Sequence, residues 1–357
     1  MTVQELDAAK AEEFGGRMVG LLNDAMLSLM ISVGHRTKLL DTMGANGDLT
    51  SEELAGKAQL NERYVREWLN ALTVGGIVEY NPSQKTYRLP PEHAASLTRA
   101  AGPGNLAAFA QFTSLMGNVE DGIVEAFRHG GGVPYAHFPK FQELMAEDSA
   151  QVHDAALLNG TLLLVDGITD RLRDGIDVCD IGCGQGHAIN LMAKEFPNSR
   201  FTGWDFSSEG IEAARAESAA FGVTNTTFEV QDASKIKAKK AFDFITTFDA
   251  IHDQAKPDVV LKNISNAMRD DGVYLCVDIA GSSHVENNLD HPMAPMLYSV
   301  STFHCMTVSL ALDGAGLGTM WGQEVANEML EAAGFTSIET KNLPEDIMNV
   351  YYVARKS

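Results

Sequence analysis

The chain has 357 residues, 45% hydrophobic and 21% charged, enough for two domains and a sizeable core in a globular protein. Its 27 basic and 48 acidic side chains leave a formal charge of −21, which disfavours nucleic acid and anionic membranes as partners. The four cysteines, Cys179, Cys183, Cys276 and Cys305, lack C-x-x-C spacing, the N-terminus is acidic rather than signal-like, and no apolar run reads as long enough to cross a membrane. Reduced thiols and a cytoplasmic address are therefore expected.

Residues 4–40 read as one or two helices, with Phe14, Met18, Leu21, Leu22, Met26, Leu29 and Met30 at three- and four-residue spacing and Gly34 as a breaker. A stripe this rich in methionine fits a neighbouring helix or a second subunit better than a ligand, so a homodimer is expected. From Asp48 the pattern changes. Thr50-Ser51-Glu52-Glu53 opens a short helix, Asn61 caps a second, and Gly75-Gly76 ends it. Residues 77–80 and 86–89 alternate around Asn81-Pro82-Ser83-Gln84 and read as a hairpin. Helix, turn, helix, hairpin is a winged-helix layout, and it bounds a first domain at 1–90. Reading DNA would need a basic second helix, whereas Arg63 and Arg66 are offset by Glu62 and Glu67.

Pro90-Pro91 makes a stiff link into a helical connector and lid, 91–172, punctuated at Gly102-Pro103-Gly104 and Gly117. Gly130-Gly131-Gly132 reads as a mobile connector whose following aromatics, Tyr135 and Phe138, would cover a ligand. Residues 148–172 continue as helix.

The third domain, 173–357, opens with an apolar strand (Ile176, Val178, Ile181) that ends in Gly182, Gly184 and Gly186, followed by a helix and a second strand closing on Trp204-Asp205. Glycines are needed where a strand turns sharply into a helix while its backbone approaches a ligand, and an acid at the next strand's end can hold a ribose diol. His187 stands where a dinucleotide motif would have its last glycine, so no pyrophosphate is expected. A helix over 208–221 and a strand over 226–230 lead to Gln231-Asp232-Ala233. The fourth strand and its loop run from Phe242 to Asp253, with Phe248, Asp249 and His252 facing the same crevice. Histidine is the side chain best suited to take a proton from a hydroxyl or thiol near neutral pH. A helix over 257–268, a break at Asp270-Asp271-Gly272 and a strand 273–279 follow.

The insertion from Gly281 to Gly322 is where acceptor choice should reside. Its helical stretch from Met296 to Leu310 mixes Tyr298, Ser301, Thr302, Cys305 and Met306, and the Gly314, Gly316, Gly318 turn could set Trp321 over a substrate. A helix over 323–333 and strands around Ile338 and 349–353 finish the chain. No two of His187, His252, His284, His291 and His304 have the short spacing of a metal site, so no metal is expected.

The run Asp180-Ile-Gly182-Cys183-Gly184-Gln-Gly186 resembles the glycine motif of class I S-adenosylmethionine-dependent methyltransferases, and the winged-helix front resembles that of its small-molecule subgroup. The resemblance implies an α/β fold: a Rossmann-like domain with a mostly parallel seven-stranded sheet and an antiparallel C-terminal strand, behind a mainly α-helical winged-helix domain. It also implies S-adenosyl-L-methionine as cofactor, S-adenosyl-L-homocysteine as product and a small-molecule methyl acceptor. The cofactor contacts it implies are Asp180, Gly182, Cys183, Gly184, Gly186, Asp205, Phe206, Asp232, Ala233, Phe248 and Asp249. It makes His252 the catalytic base, although Gln254 stands where that group often has an aromatic. Oxygen and sulfur acceptors both remain open on this reading. So do a cofactor-sensing winged-helix regulator and a catalytically silent cofactor binder.

Overall fold

The computed structural model describes residues 6–344 and 346–356, so residues 4 and 5 of the expected first helix lie outside it. The chain divides into two compact units, Met1–Gly117 and Asn118–Ser357.

The first unit begins with α1 (Ala8–Arg36) and α2 (Leu39–Gly44), then α3 (Ser51–Ala58), α4 (Glu62–Val74), β1 (Glu79–Asn81), β2 (Thr86–Arg88), α5 (Pro91–Leu97) and α6 (Gln111–Gly117). The N-terminus of α3 is closed as expected: Thr50 Oγ1 accepts from the Glu53 N–H and the Glu53 carboxylate accepts from the Thr50 N–H. Asn61 caps α4 by accepting from the Arg63 N–H at 3.1 Å. Gly34 does not break the first helix. A Cβ there would stand 2.5 Å from the Trp68 ring, so the glycine lets α4 press close while α1 continues to Arg36. The Trp68 Nε1–H then reaches the Met30 carbonyl at 2.8 Å. At 29 residues with a mean hydropathy of 1.3 over its most apolar window, α1 is long and apolar enough to cross a membrane, contrary to the sequence expectation. Only 17% of that window is buried, and length and composition alone are weak evidence for a span.

The second unit holds α7 (Glu120–His129), α8 (Phe141–Val152), α9 (Ile168–Asp174), β3 (Asp177–Ile181), α10 (His187–Glu195), β4 (Arg200–Asp205), α11 (Ser208–Phe221), β5 (Thr226–Val230) and β6 (Phe242–Phe248). It continues with α12 (Pro257–Ala267), β7 (Met268–Ile279), α13 (Ala294–Val300), α14 (Met306–Leu310), α15 (Gly322–Ala333), β8 (Ser337–Lys341) and β9 (Asn349–Arg355). The seven strands lie in the order β5-β4-β3-β6-β7-β9-β8. All neighbouring pairs from β5 to β7 are parallel, and β9 is antiparallel to both β7 and β8. Alternate residues face opposite sides. Val178, Phe201, Phe244 and Leu275 bury against α10 and α11, whereas Cys179, Ile245, Tyr274 and Cys276 bury against α12 and α15.

Three local expectations are corrected. The 270–272 break is absorbed into β7 as a register shift opposite Phe242 and Phe244. The connector helix is interrupted by a π-helical stretch at His153–Thr161 and by Gly167 in the left-handed region at φ 73°. The glycine run before Tyr135 is pinned rather than free: a Cβ on Gly132 would stand 1.9 Å from the Thr307 carbonyl oxygen, and the Val133 N–H donates to Thr307 Oγ1 at 2.8 Å.

Candidate functional site

Chain order reverses between β3 and β6, which opens a crevice beyond their carboxyl ends. The glycine loop sits at its mouth. Gly182, Gly184 and Gly186 have φ of 78°, 54° and 74°, which a Cβ disfavours. A Cβ on Gly182 would be 2.6 Å from Ala250 Cβ and one on Gly186 2.6 Å from the Phe228 ring, while at Gly184 it would meet only open space. Two of these positions thus serve packing, and the third leaves backbone open to a ligand.

The acids at the strand ends hold this loop. Asp205 Oδ2 accepts from the Gly184 N–H at 2.9 Å and Oδ1 from the Ser207 N–H at 2.8 Å. A carboxylate has about four acceptor positions, so capacity remains for a diol. Asp180 is buried and accepts from Thr246 Oγ1 at 2.7 Å. Burial pushes it up to about 7, against the Thr246 hydrogen bond and reinforced by the Asp205 charge. Asp232 caps a turn through Ala233, accepting from the Ser234 N–H at 2.9 Å and its hydroxyl at 2.6 Å, bonds that lower its pKa. Phe206 is exposed beside Asp205, and its ring meets the edge of Tyr135 at 5.4 Å. Cys183 lies in the loop with its thiol pushed well above its ordinary pKa by burial, and Phe248 packs against the His153 ring at 4.7 Å.

His252 is 5% exposed, and its Nδ1 lies 2.7 Å from Asp278 Oδ1. That oxygen also accepts from Trp321 Nε1–H at 3.1 Å and from the Ile279 N–H at 2.8 Å. Asp278 is thereby fixed as an acceptor, so His252 Nδ1 is the donor and Nε2 is the nitrogen that Asp278 does not use. Burial works against a charged His252, but the Asp278 carboxylate outweighs it and holds the imidazole well above 6.5. Trp321, expected over a substrate, buries its ring against the sheet and bears on the site through Asp278. The glycine turn braces the same loop: the Gly318 N–H donates to the His252 carbonyl at 3.0 Å, and Ser309 Oγ to the Gln254 carbonyl at 2.9 Å.

The insertion sets Cys305 Sγ 3.6 Å from His304 Nδ1, and burial, opposed by the His252 charge, keeps the thiol raised. Its π-helical turn, Ser301–Cys305, also carries His304, which is wholly buried. The His304 ring stacks on Phe141 at 3.6 Å and meets the edges of Phe138 at 4.7 Å and Tyr135 at 5.6 Å. Burial, then the His252 charge, push it down to about 3, so it is neutral. Tyr298 accepts from Asn288 Nδ2 at 3.0 Å, Thr302 donates to the Tyr298 carbonyl, and Ser301 is buried behind them. Sequence reasoning missed Asp278, Thr246 and His304. Only Asp278 carried a signal, an acid near the end of an apolar strand.

Residues 172–334 match the family model described as a methyltransferase domain, and residues 25–99 match the Rv2258c-like winged HTH domain. The chain carries a methyltransferase domain. N-methyltransferase 4 of Papaver somniferum is 30% identical over 109 residues, 30% of this chain and 31% of that relative, so the likeness spans about a third of the relative's length. Among solved structures, the mitomycin 7-O-methyltransferase MmcR superposes with a TM-score of 0.73 at 17% identity, covering 98% of this chain and 100% of that one. Human N-acetylserotonin methyltransferase, solved in complex with SAM, gives 0.69 at 15%, covering 100% of both chains. At these identities the likeness establishes the fold, and the methyltransferase domain here has the sheet order and glycine loop described above.

Proposed function

We propose that the chain is an S-adenosylmethionine-dependent methyltransferase of the cytoplasm that moves a methyl group to an oxygen or sulfur of a small-molecule acceptor, with His252 as general base. The observation that carries this is the buried His252–Asp278 pair at the crevice that the glycine loop also borders. The cradle fits the cofactor: Gly184 leaves its backbone open, and Asp205 keeps acceptor capacity for a ribose. The cofactor supplies a methyl group on a sulfonium, a good leaving group. The protein's share is to hold the acceptor in line, exclude water and take the acceptor's proton at His252 Nε2. Incubation with S-adenosylmethionine and panels of phenols and thiols should release S-adenosylhomocysteine with one panel. Absence of turnover with both overturns the proposal.

We also read α1 as the face of a homodimer. Phe14, Leu21, Leu22 and Met26 are each more than half exposed and lie at helical spacing, an apolar stripe that a second copy would cover. Light scattering should give about twice 38.6 kDa for the wild type and a single mass for Leu22→Glu. A monomeric wild type removes this reading and leaves the chemistry untouched.

A further inference from the structure

The ends of β6 and β7 carry buried carboxylate oxygens that have no donor. Asp249 follows β6 directly, with its N–H on the Val277 carbonyl at 2.9 Å and a left-handed φ of 49° that a non-glycine residue seldom adopts. Asp249 Oδ1 is buried without a partner. Asp278 is 0% exposed, and its Oδ2, the oxygen that His252 does not use, also meets no donor. Buried polar atoms are nearly always hydrogen-bonded, and leaving one unpaired costs about 1–3 kcal/mol. Both orphans are carboxylate oxygens, so the missing partner is a donor.

Charge narrows it further. Asp249 is faced by Asp278, by His252, and by Asp346 and Asp148. Among the described residues, His252 is the basic side chain ion-paired with Asp278, and the ion pairs of lysine and arginine fall elsewhere, on Asp177, Asp243 and Asp270 for example. Buried carboxylates without a counter-ion are costly. Burial, then the Asp278 charge, hold Asp249 above the ordinary carboxylate range, as expected where the balancing cation arrives with a ligand.

We propose that the Asp249–Asp278 strand ends bind a protonated amine of the methyl acceptor, so the acceptor is a hydroxy- or mercapto-amine whose ammonium docks here while its nucleophile faces His252. The inference rests on the methyltransferase reading. An ammonium offers donors to the two orphan carboxylate oxygens and supplies Asp249 with a counter-ion. The site would correspondingly reject acceptors bearing a carboxylate, which would face like charges.

The test is calorimetry on the intact protein loaded with S-adenosylhomocysteine, using tyramine, 4-ethylphenol and 4-hydroxyphenylacetate as matched probes. Tyramine should bind at least tenfold more tightly than the neutral and anionic probes, and Asp249→Asn, which keeps the shape and tolerates the left-handed backbone, should abolish that preference. Equal binding of the three probes, or binding of none, overturns the inference. The cofactor's own α-amine is the competing source of an ammonium. If Asp249→Asn weakens S-adenosylhomocysteine itself tenfold or more, the carboxylates serve the cofactor and the acceptor assignment fails. Failure of S-adenosylhomocysteine to bind the wild type would instead remove the underlying methyltransferase reading.

Discussion

His252→Ala is expected to slow transfer to a phenol or alcohol by about 10²–10⁴-fold, the usual worth of a positioned general base. The Asp278 carboxylate does two things for that base. It accepts the Nδ1–H hydrogen bond, which in the neutral imidazole makes Nε2 the basic nitrogen, and it raises the imidazole pKa above 6.5. A raised histidine is the charged form below its pKa, so the base becomes available only as pH rises through that value. kcat/KM for a phenol should therefore climb with pH on a limb displaced above 6.5. Asp278→Asn removes the charge that sustains the displacement, so its limb should move to lower pH while the plateau falls. The ion pair's contribution to folding runs the other way: it is present below the unfolded pKa of histidine and lost as pH rises through the folded one. Initial rates across pH for wild type, His252→Ala and Asp278→Asn check this. Full rate in His252→Ala would end the base role, as would an unmoved limb in Asp278→Asn. A thiol acceptor that arrives as thiolate should feel the same substitution far less.

What the sequence disclosed follows from how local each requirement is. Asp180, the three loop glycines and Asp205 fall within one strand, turn and strand, so their pattern could be read as it stands. The cap at Asn61 and the helix start at Thr50 were legible for the same reason. Gly34 looked like a breaker because its reason is Trp68, a helix away, which needs the space a Cβ would take. Asp278 looked like the last polar residue of a strand, since its role comes from a histidine on the neighbouring strand end, 26 residues earlier. His304 could not be told from a solvated histidine, because the rings that bury it, Phe138 and Phe141, come from the connector. The glycines at 314, 316 and 318 suggested a turn that sets Trp321 over a substrate, whereas they let the turn lie against the His252 loop. In each case the missing fact was a partner distant in sequence, which periodicity and spacing do not encode.

The glycine loop allows backbone strain to be separated from ligand contact, because this chain supplies its own control. Gly184 and Gly222 both lie in the left-handed region, at φ 54° and 69°, and an added Cβ at either would meet no atom within 4 Å. Alanine at either position should therefore carry the same penalty, about 1–2 kcal/mol for forcing an L residue into that region. Gly222 only terminates α11. Gly184 lies beside Asp205 in the crevice, so the space its Cβ would enter is the space proposed for the cofactor. Gly184→Ala and Gly222→Ala should thus melt within a degree or two of each other. Only the first should lose S-adenosylhomocysteine, by about 10²-fold or more, equivalent to about 2.7 kcal/mol. Calorimetric titration with melting curves on the same samples checks both halves. Equal affinities in the two variants would mean that the loop's glycines are there to let the strand turn into α10, and the cofactor would have to lie elsewhere in the crevice.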